Sequence, residues 1–258
     1  MKKILITGAN SYIGTSFENY IKSFEGYQID TVDMIDGSWR NKDFSGYDVV
    51  FHVAGIAHRK ETKENAELDY EVNRDLTIET AQKAKNDGVG QFVFLSSMSV
   101  YGLTTGRITL DTTPKPNSNY GKSKLEAENG LNILSDSTFH VAVIRPPMVY
   151  GEGCKGNYRM LKKFALSFPI FPDYKNERSM IEINNLCDKI KKIIDENGCG
   201  YFYPQDREYI CTTDMVRDIA EKNNRNIYFT KIFNPFIKSF NINILNKVFG
   251  NLTYDKSM

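Results

Sequence analysis

Two residues spaced four apart, Tyr120 and Lys124, are the clearest candidates for chemistry in this sequence. A phenol is a poor base at neutral pH because its unperturbed pKa is about 10, and a neighbouring ammonium group lowers that pKa. In the segment NSNYGKSKLEAENGL the two side chains share a face if the segment is helical. The spacing therefore indicates a device for proton transfer, although ordinary amphipathic helices contain the same spacing.

A glycine-marked turn near the start of the chain gives this pair a context. The apolar run 4–6 ends at Gly8, and a helical pattern begins after Ser11. Such a turn directs backbone N–H groups and the positive end of a helix towards a pyrophosphate. Gly8 permits the tight turn, and Gly14 lets the helix pack closely on the strand. The alternative interpretation is a simple tight turn between a strand and a helix.

Asp33 ends a second apolar-containing run, YQIDTVD, 19 residues beyond Gly14. An acid at this place in a dinucleotide-binding fold hydrogen-bonds the diol of the adenosine ribose, which favours NAD over NADP. We therefore predict NAD as the cofactor, with NADP left open. The competing interpretation is that Asp30, Asp33 and Asp36 are polar loop residues.

Further apolar segments alternate with helical ones along the chain. They are residues 48–53, followed by Ala54 and Gly55; a helical stretch from about 63 to 86; and residues 92–95, followed by Ser96 and Ser97. This alternation predicts an α/β fold in which a parallel sheet is covered by helices on both faces. Ligands of such sheets bind beyond the carboxyl ends of the strands, so the residues that follow these strands should converge on one crevice.

With these motifs in place, the sequence resembles the extended short-chain dehydrogenase/reductase family, in particular its nucleotide-sugar epimerase, dehydratase and reductase branch. The resemblance rests on TGANSYIG, HVAG, YEVNRDL with Asn73, LSSMSVYG, YGKSK and RPPMVYG, in that order, over nearly the whole chain. It implies that Ser97, Tyr120 and Lys124 are catalytic. It also implies that Lys124 bonds the nicotinamide ribose and lowers the pKa of Tyr120. Asn73 either supports the site or is a structural helix residue.

The resemblance also implies two sets of binding residues. The cofactor-binding set is Gly8, Asn10, Ser11, Tyr12, Ile13, Gly14, Asp33, Ala54, Gly55, Asn73 and Lys124. The substrate-binding set is Ser97, Tyr120, Asn157 and Arg178. The planar guanidinium of Arg178 suits a diphosphate because it donates two parallel hydrogen bonds. The alternative for Arg178 is a surface ion pair with Glu177 or Glu182.

Three departures from the family pattern shape the expected reaction. Ser11 replaces the middle glycine of the phosphate-binding turn. Met98 and Ser99 replace the Asp-Glu pair that dehydratases of the family carry after the catalytic hydroxyl residue, so elimination of water is not expected. Met148 replaces an asparagine that holds the nucleotide phosphates in related epimerases, which leaves that task to other groups.

The resulting prediction is an NAD-dependent epimerase that acts at C4 of a nucleotide sugar through a 4-keto intermediate. The expected substrate is a UDP-hexose or UDP-N-acetylhexosamine, and the expected pathway is surface polysaccharide synthesis. Ser97, Tyr120 and Lys124 would serve equally in an NAD(P)H-dependent 4-ketoreductase of a UDP-4-keto-6-deoxy-sugar. A third alternative is a non-catalytic dinucleotide-binding module. The presence of all three catalytic residues argues against it.

Composition limits the classes of partner. The 258 residues are 41% hydrophobic with a net charge of +1, and they contain neither a basic stripe nor a nucleic-acid motif. The sequence contains no signal-peptide pattern and no apolar run long enough to span a membrane, so we expect a cytoplasmic protein. Its four cysteines and three histidines lack metal-ligand spacing, so we expect no metal site. The expected partner is a small nucleotide sugar, and a homodimer stays open.

The predicted domains are a Rossmann-like, doubly wound NAD(P)-binding domain and a small C-terminal substrate-binding region. The first spans residues 1–152 and also receives about 184–215, and the second spans 153–183 and 216–258. Because the family's chains continue further, we expect the small region to be incomplete. Its last segment, IYFTKIFNPFIKSFNINILNKVFGNL, is predicted to be a helical flap over the sugar, with a membrane surface or a partner as the alternative. His58 is a further candidate to reach the sugar.

Overall fold

The computed structural model describes residues 1–57, 62, 66–154, 156–239 and 243–258. It contains two compact units. The sheet unit comprises residues 1–102, 114–146 and 183–204, and the C-terminal unit comprises residues 103–113, 147–182 and 205–258. These divisions lie several residues before the predicted boundaries at 152 and 215. The assignment of cofactor binding and substrate binding to separate domains stays a prediction.

The strands and helices are numbered in chain order. The strands are β1 (Lys2–Thr7), β2 (Tyr27–Val32), β3 (Val49–His52), β4 (Gln91–Leu95), β5 (Gly106–Ile108), β6 (His140–Ile144), β7 (Met148–Tyr150), β8 (Ile170–Pro172), β9 (Met180–Glu182), β10 (Gly200–Phe202), β11 (Tyr228–Thr230) and β12 (Leu252–Tyr254). The helices are α1 (Tyr12–Ile21), α2 (Ala66–Tyr70), α3 (Leu76–Asn86), α4 (Asn119–Leu134), α5 (Asn157–Ser167), α6 (Ile183–Asp195), α7 (Thr212–Lys222), α8 (Asn234–Ser239) and α9 (Asn243–Phe249). Short 3-10 helices span Ser38–Asn41, Met98–Tyr101 and Lys231–Phe233, and a π-helical segment spans Glu71–Asp75.

The sheet unit is built on six parallel strands in the order β10-β6-β4-β3-β1-β2. The chain passes from β1 to β2 on one side and then to β3 on the other side of β1, so the winding direction reverses between β1 and β3. Open parallel sheets bind their ligands outside the strand ends at such a reversal. The predicted α/β fold with a doubly wound parallel sheet is confirmed.

Helices cover both faces of this sheet because successive strand residues point to opposite sides. Val50 of β3 belongs to a buried cluster with Ala81 of α3 and Leu131 of α4. The next residue, Phe51, faces the other side, where its ring lies 5.1 Å from that of Phe17 of α1. Helix α6 packs against α1. Burial on both faces explains the continuous apolar runs of these strands.

Glycines set the distance between the ends of the strands at the reversal point. Gly8 has a φ of +85°, and a Cβ on it would lie 2.8 Å from the backbone of Ala54. A Cβ on Gly14 would lie 2.9 Å from Cγ2 of Val53. The amide of Gly8 donates to the carbonyl of Val32 at 3.0 Å, which connects the turn to the end of β2. Only glycine allows these three strand ends to come so close.

The C-terminal unit consists of three parallel strand pairs, β5 with β12, β7 with β9 and β8 with β11, together with α5, α7, α8 and α9. Its core includes Leu161, Ala165, Phe171, Met180, Met215, Val216, Ile219 and Phe249. The last segment of the chain, expected to be helical, forms β11, α8, α9 and β12 among its described residues. Its position over a sugar stays a prediction. Within the described ranges no helix is long and apolar enough to cross a bilayer.

We predict that Gly8→Ala destabilises the protein more than Gly26→Ala does. Both glycines have a left-handed φ, +85° and +89°, but only a Cβ at Gly8 would overlap its neighbours, since Gly26 faces open space. The left-handed conformation costs about 1–2 kcal/mol in either variant, and overlap adds roughly 1–3 kcal/mol at Gly8. Urea unfolding followed by fluorescence of the single tryptophan, Trp39, measures both losses. Equal losses would contradict the close approach of β1 and β3.

Candidate active site

Helix α4 carries Tyr120 in its first turn and Lys124 one turn later. Oγ of Ser118 accepts a hydrogen bond from the amide of Gly121 at 3.1 Å, which fixes the start of the helix. A Cβ on Gly121 would lie 2.7 Å from the carbonyl oxygen of Ser99. The glycine therefore lets the helix approach the segment that follows β4.

Ser97 lies in that segment and begins the 3-10 helix Met98–Tyr101. Its Oγ accepts a hydrogen bond from the amide of Ser99 and donates one to Oγ of Ser99, each at 3.1 Å. The Ser97 side chain also lies close enough to Tyr120 to act on its pKa, which it lowers. The structure thus brings together two of the three predicted catalytic residues.

The direction of the pKa shift at Tyr120 differs from the expected one. Burial raises the pKa of Tyr120 above its ordinary value, and the Ser97 side chain opposes this rise. The prediction of a net lowering by Lys124 is wrong for this structure, because loss of solvation of the phenolate dominates. Nζ of Lys124 instead donates to the carbonyl of Leu95 at 2.9 Å and lies 4.5 Å from the ring centroid of Phe94.

Lys124 is buried, and two opposing effects act on its pKa. Desolvation lowers the pKa of Lys124 to about 7, while the charge of Glu128 raises it. A lysine with a pKa near neutrality exchanges its proton under ordinary conditions, unlike a solvated lysine. Lys124 is therefore suited to proton transfer as well as to hydrogen bonding.

Asn73 fixes the loop that follows β3. It is fully buried in the π-helical segment Glu71–Asp75, an irregularity that often occurs at functional sites. Its Oδ1 accepts from the amide of Ile56 at 2.9 Å, and its Nδ2 donates to the carbonyl of Ile56 at 3.1 Å and to Oγ of Ser123 at 3.3 Å. A Cβ on Gly55 would lie 2.9 Å from Oδ1 of Asn73. These contacts support the loop, and a direct contact of Asn73 with the cofactor stays a prediction.

His52, the last residue of β3, belongs to a buried chain of hydrogen bonds. Its Nδ1 lies 2.8 Å from Oγ1 of Thr7, and its Nε2 lies 3.1 Å from Oγ1 of Thr77. Burial, with a smaller contribution from the charge of Lys124, lowers the pKa of His52 to about 3. The imidazole is therefore neutral at neutral pH and connects β1, β3 and α3.

A buried ion pair between Glu128 and Arg145 connects the segments around Lys124. Glu128 is fully buried one turn beyond Lys124, and its carboxylate accepts from Nε and Nη2 of Arg145 at 3.1 and 2.5 Å. Oγ of Ser96 donates to the same carboxylate, and Nη1 of Arg145 donates to the hydroxyl of Tyr101 at 2.9 Å. One carboxylate therefore connects α4, the end of β4 and the segment after β6.

Neither Glu128 nor the side chain of Arg145 is among the site residues predicted from the sequence. The sequence does contain one signal, because Glu128 follows Lys124 at a spacing of four residues and so shares its helix face. The partner arginine is 17 residues further along the chain, and no local pattern connects it to Glu128.

The turn between β1 and α1 has the features of a dinucleotide phosphate site. Oγ of Ser11 caps α1 by accepting from the amide of Gly14 at 3.2 Å. The substitution of the middle glycine by Ser11 therefore supplies a helix cap. Tyr12 and Ile13 form the first turn of α1, the part of a helix that binds anions, and Asn10 precedes them with a φ of 64°. These residues fit the diphosphate of NAD.

Asp33 directly follows β2, and it is exposed. One of its oxygens, Oδ1, accepts a hydrogen bond from the amide of Ile35 at 2.9 Å, which orients the carboxylate. Because Val32 is bonded to the Gly8 turn, Asp33 lies next to the phosphate-binding turn. This position suits a contact with the adenosine ribose, which stays a prediction.

The two predicted substrate-binding residues outside the sheet unit lie in the C-terminal unit. Asn157 is the exposed first residue of α5. Nη1 of Arg178 donates to the carbonyl of Gly250 at 2.7 Å and to that of Asn246 at 3.4 Å, so the guanidinium holds the end of α9. Desolvation lowers the pKa of Arg178. The contacts of both residues with substrate stay predictions, and His58 lies outside the described residues.

Comparison with known proteins agrees with this geometry. Residues 4–198 match the NAD dependent epimerase/dehydratase family. The chain is 32% identical over 246 residues to a Vibrio cholerae protein named UDP-glucose 4-epimerase, covering 85% of this chain and 75% of that protein. It is 26% identical over 269 residues to the Escherichia coli O157:H7 protein named N-acetyl-alpha-D-glucosaminyl-diphospho-ditrans,octacis-undecaprenol 4-epimerase, covering 96% and 81%. The crystal structure of UDP-glucuronic acid 4-epimerase from Bacillus cereus in complex with NAD has the same fold, with a TM-score of 0.75 at 19% identity over 99% of this chain and 90% of that one.

We predict that Glu128→Gln lowers the free energy of unfolding by about 3–5 kcal/mol, because it leaves the buried guanidinium of Arg145 without a counter-charge. Glu126→Gln is the matched control, since Glu126 is on the same helix but forms an exposed ion pair with Arg74. Its loss should stay below about 1 kcal/mol. Urea unfolding of both variants measures the difference. Equal stability of the two variants would show that the buried pair does not support this region.

We also predict that the stabilising effect of His52 depends on pH. Its folded-state pKa of about 3 lies below the ordinary 6.5, so the unfolded chain binds a proton that the folded protein does not. The contribution is complete above 6.5 and is lost as the pH falls towards 3. The stability difference between the parent and His52→Gln should therefore shrink over this interval, as measured by urea unfolding at several pH values. A difference that stays constant would contradict a buried neutral imidazole.

Proposed function

The chain belongs to the NAD dependent epimerase/dehydratase family, and from this premise we propose that it epimerises C4 of a UDP-hexose or UDP-N-acetylhexosamine. Membership makes it an NAD-dependent enzyme, a nucleotide-sugar epimerase or reductase. The names of the two related proteins, both 4-epimerases of sugars on a diphosphate, support the choice of C4 and of a diphosphate-linked sugar.

The placement of Ser97 close to Tyr120, with Lys124 one helical turn away, is the observation that carries this proposal. A sugar alcohol loses a hydride from carbon only if its hydroxyl proton is removed at the same time. Two hydroxyl groups held together allow one to bind the reacting oxygen while the other accepts its proton. Ser97 follows β4 at the carboxyl edge of the sheet, where such folds bind ligands.

In the proposed reaction Tyr120 acts as a phenolate and takes the proton of the C4 hydroxyl. Ser97 donates a hydrogen bond to the C4 oxygen as it becomes a carbonyl. Burial alone disfavours this phenolate. The positive charges that would offset burial are those of protonated Lys124 and of bound NAD. Bound NAD supplies the acceptor and donor of the C4 hydride and a positive charge on its nicotinamide ring. Once the 4-keto sugar has turned over in the site and presents its opposite face, the hydride returns to C4 and Tyr120 returns the proton to the C4 oxygen. C4 is then inverted, and the protein residues end the cycle unchanged.

The segment after Ser97 supports epimerisation rather than dehydration. The 3-10 helix that begins at Ser97 continues with Met98 and Ser99, neither of which carries a carboxyl group. Elimination of water needs an acid and a base beside the sugar in addition to the hydroxyl groups. A reaction that only moves one proton and one hydride at C4 needs no acid or base in addition to these hydroxyl groups.

We predict that Tyr120→Phe lowers the rate of interconversion between UDP-glucose and UDP-galactose, or between their N-acetyl forms, by about a hundred- to ten-thousand-fold. The ring remains, so folding should be unchanged. Tyr27→Phe is the control, because Tyr27 donates to Asp195 in the same unit but has no place in the proposed reaction. Separation of the sugar products gives the rates.

The parent protein decides between the related reactions. An epimerase retains NAD through every cycle, whereas a 4-ketoreductase exchanges it at each turnover, so the cofactor content of the purified protein separates the two. Stoichiometric consumption of NADH with a UDP-4-keto sugar would replace the epimerase by the reductase. An unchanged rate in Tyr120→Phe would reject the proposed chemistry for both.

A further inference from the structure

Charge is distributed very unevenly along the C-terminal unit. Residues 153–172 and 222–254 together contain nine of the chain's 33 Lys and Arg residues and none of its 32 Asp and Glu residues. The net charge of +1 for the whole chain hides this separation. Both stretches carry only positive charge, and Asp173, which directly follows the first stretch, is the acid that borders them.

The two acid-free stretches lie side by side. Strands β8 and β11, one from each stretch, pair in parallel with Ile170 opposite Tyr228. The amide of Tyr228 donates to the carbonyl of Pro169 at 2.8 Å, and Nδ2 of Asn234 donates to the carbonyl of Asp173 at 3.0 Å. These bonds hold β8, β11 and the start of α8 next to one another.

Large apolar side chains on this surface point to solvent rather than to the core. The exposed fractions are 46% for Ile170, 69% for Tyr228, 71% for Ile232 and 61% for Phe236. Phe171, the neighbour of Ile170, points the other way and is buried in the core of the unit. Ile170 and Tyr228 therefore lie on the outer side of the β8–β11 pair, and Ile232 and Phe236 are exposed in the helical segments that follow it. Core packing does not explain this set of exposed apolar residues.

Lysines lie among these apolar residues. Lys231 and Lys238 are both exposed. Lys231 directly precedes Ile232, and Lys238 follows Phe236 by two residues. We define the apolar-basic face as Ile170, Tyr228, Lys231, Ile232, Phe236 and Lys238. Apolar and aromatic residues mixed with lysines are the composition of surfaces that bind the interface of an anionic bilayer.

We propose that the apolar-basic face docks the protein on the surface of an anionic lipid bilayer. In this arrangement Ile232 and Phe236 insert their side chains into the headgroup region of the bilayer, and the hydroxyl of Tyr228 lies among the polar headgroups. Lys231 and Lys238 extend their ammonium groups to the lipid phosphates. This interaction goes beyond the proposed reaction, which needs only a substrate.

Charge complementarity favours a bilayer over the other occupants. In a symmetric dimer this face would meet its own copy, so that Lys231 and Lys238 would face like charges with no acidic partner on the face. A nucleic acid backbone would neutralise the lysines but leave Ile170 and Ile232 in water. An anionic lipid surface provides phosphates for the cations and an apolar layer for the side chains.

Co-sedimentation with lipid vesicles tests the proposal. We expect the protein to bind vesicles of phosphatidylglycerol and phosphatidylcholine, to release as salt is added, and to bind pure phosphatidylcholine far less. Lys231→Gln and Lys238→Gln should each weaken binding about fivefold. The double variant Ile232→Ser/Phe236→Ser should weaken it by about tenfold or more.

Matched variants elsewhere control for general loss of charge or apolar surface. Ile35→Ser/Ile133→Ser removes two apolar side chains of the sheet unit that are 91% and 84% exposed, and Lys115→Gln/Lys189→Gln removes two exposed lysines of the same unit. These variants should bind like the parent, and circular dichroism checks that every variant is folded. Equal weakening by control and face variants would overturn the proposal, as would binding to neither kind of vesicle. Self-association that the face variants abolish, in a parent that binds no vesicles, would assign the face to a second copy instead.

Discussion

Close approach between chain segments at the carboxyl edge of the sheet is the constraint on which the candidate site depends. At Gly8, Gly55 and Gly121 a Cβ atom would lie 2.7–2.9 Å from an atom of another segment. Gly8 lets β1 meet the end of β3, Gly55 lets the next loop lie on Asn73, and Gly121 lets α4 reach the segment after β4. Each contact leaves no room for a side chain between the segments, and Tyr120, Lys124 and His52 lie in poorly solvated space, whereas Asp33 and Gly55 are exposed.

Poor solvation explains the ionisation of the groups in that space. It raises the pKa of Tyr120, lowers that of Lys124 to about 7 and lowers that of His52 to about 3. In each case the neutral form is favoured. The one strongly held pair of charges, Glu128 with Arg145, is bidentate and is also bonded by Ser96 and Tyr101. Buried charges persist only with this degree of hydrogen bonding, and the Glu128 carboxylate of this pair lies one helical turn from Lys124.

The sequence predicted the features that local chemistry determines. A glycine that needs a positive φ, an apolar run covered on both faces and a pair of residues one helical turn apart each follow from a few neighbouring residues. The fold class was predicted in this way and is confirmed, and the structure brings Ser97 and Tyr120 together. The pKa direction of Tyr120 was wrong, because spacing along a helix indicates which charges are near but not how much water is excluded. Arg145 was missed as the partner of Glu128 because their contact depends on the order of strands in the sheet.

The C-terminal unit shows a different limit of sequence reasoning. Its last segment was expected to be a helix that covers the sugar, since isoleucine, phenylalanine and spaced lysines are typical of an amphipathic helix. In the structure the same residues divide among β11, a 3-10 helix, α8, α9 and β12, so no single helical face collects the apolar groups. Phe171, Phe229 and Phe249 take part in the core of the unit, while Ile232 and Phe236 stay outside it. The core of the unit forms without Ile232 and Phe236, so core packing does not explain their exposure, and the exposed Lys231 and Lys238 add positive charge close to them in the chain.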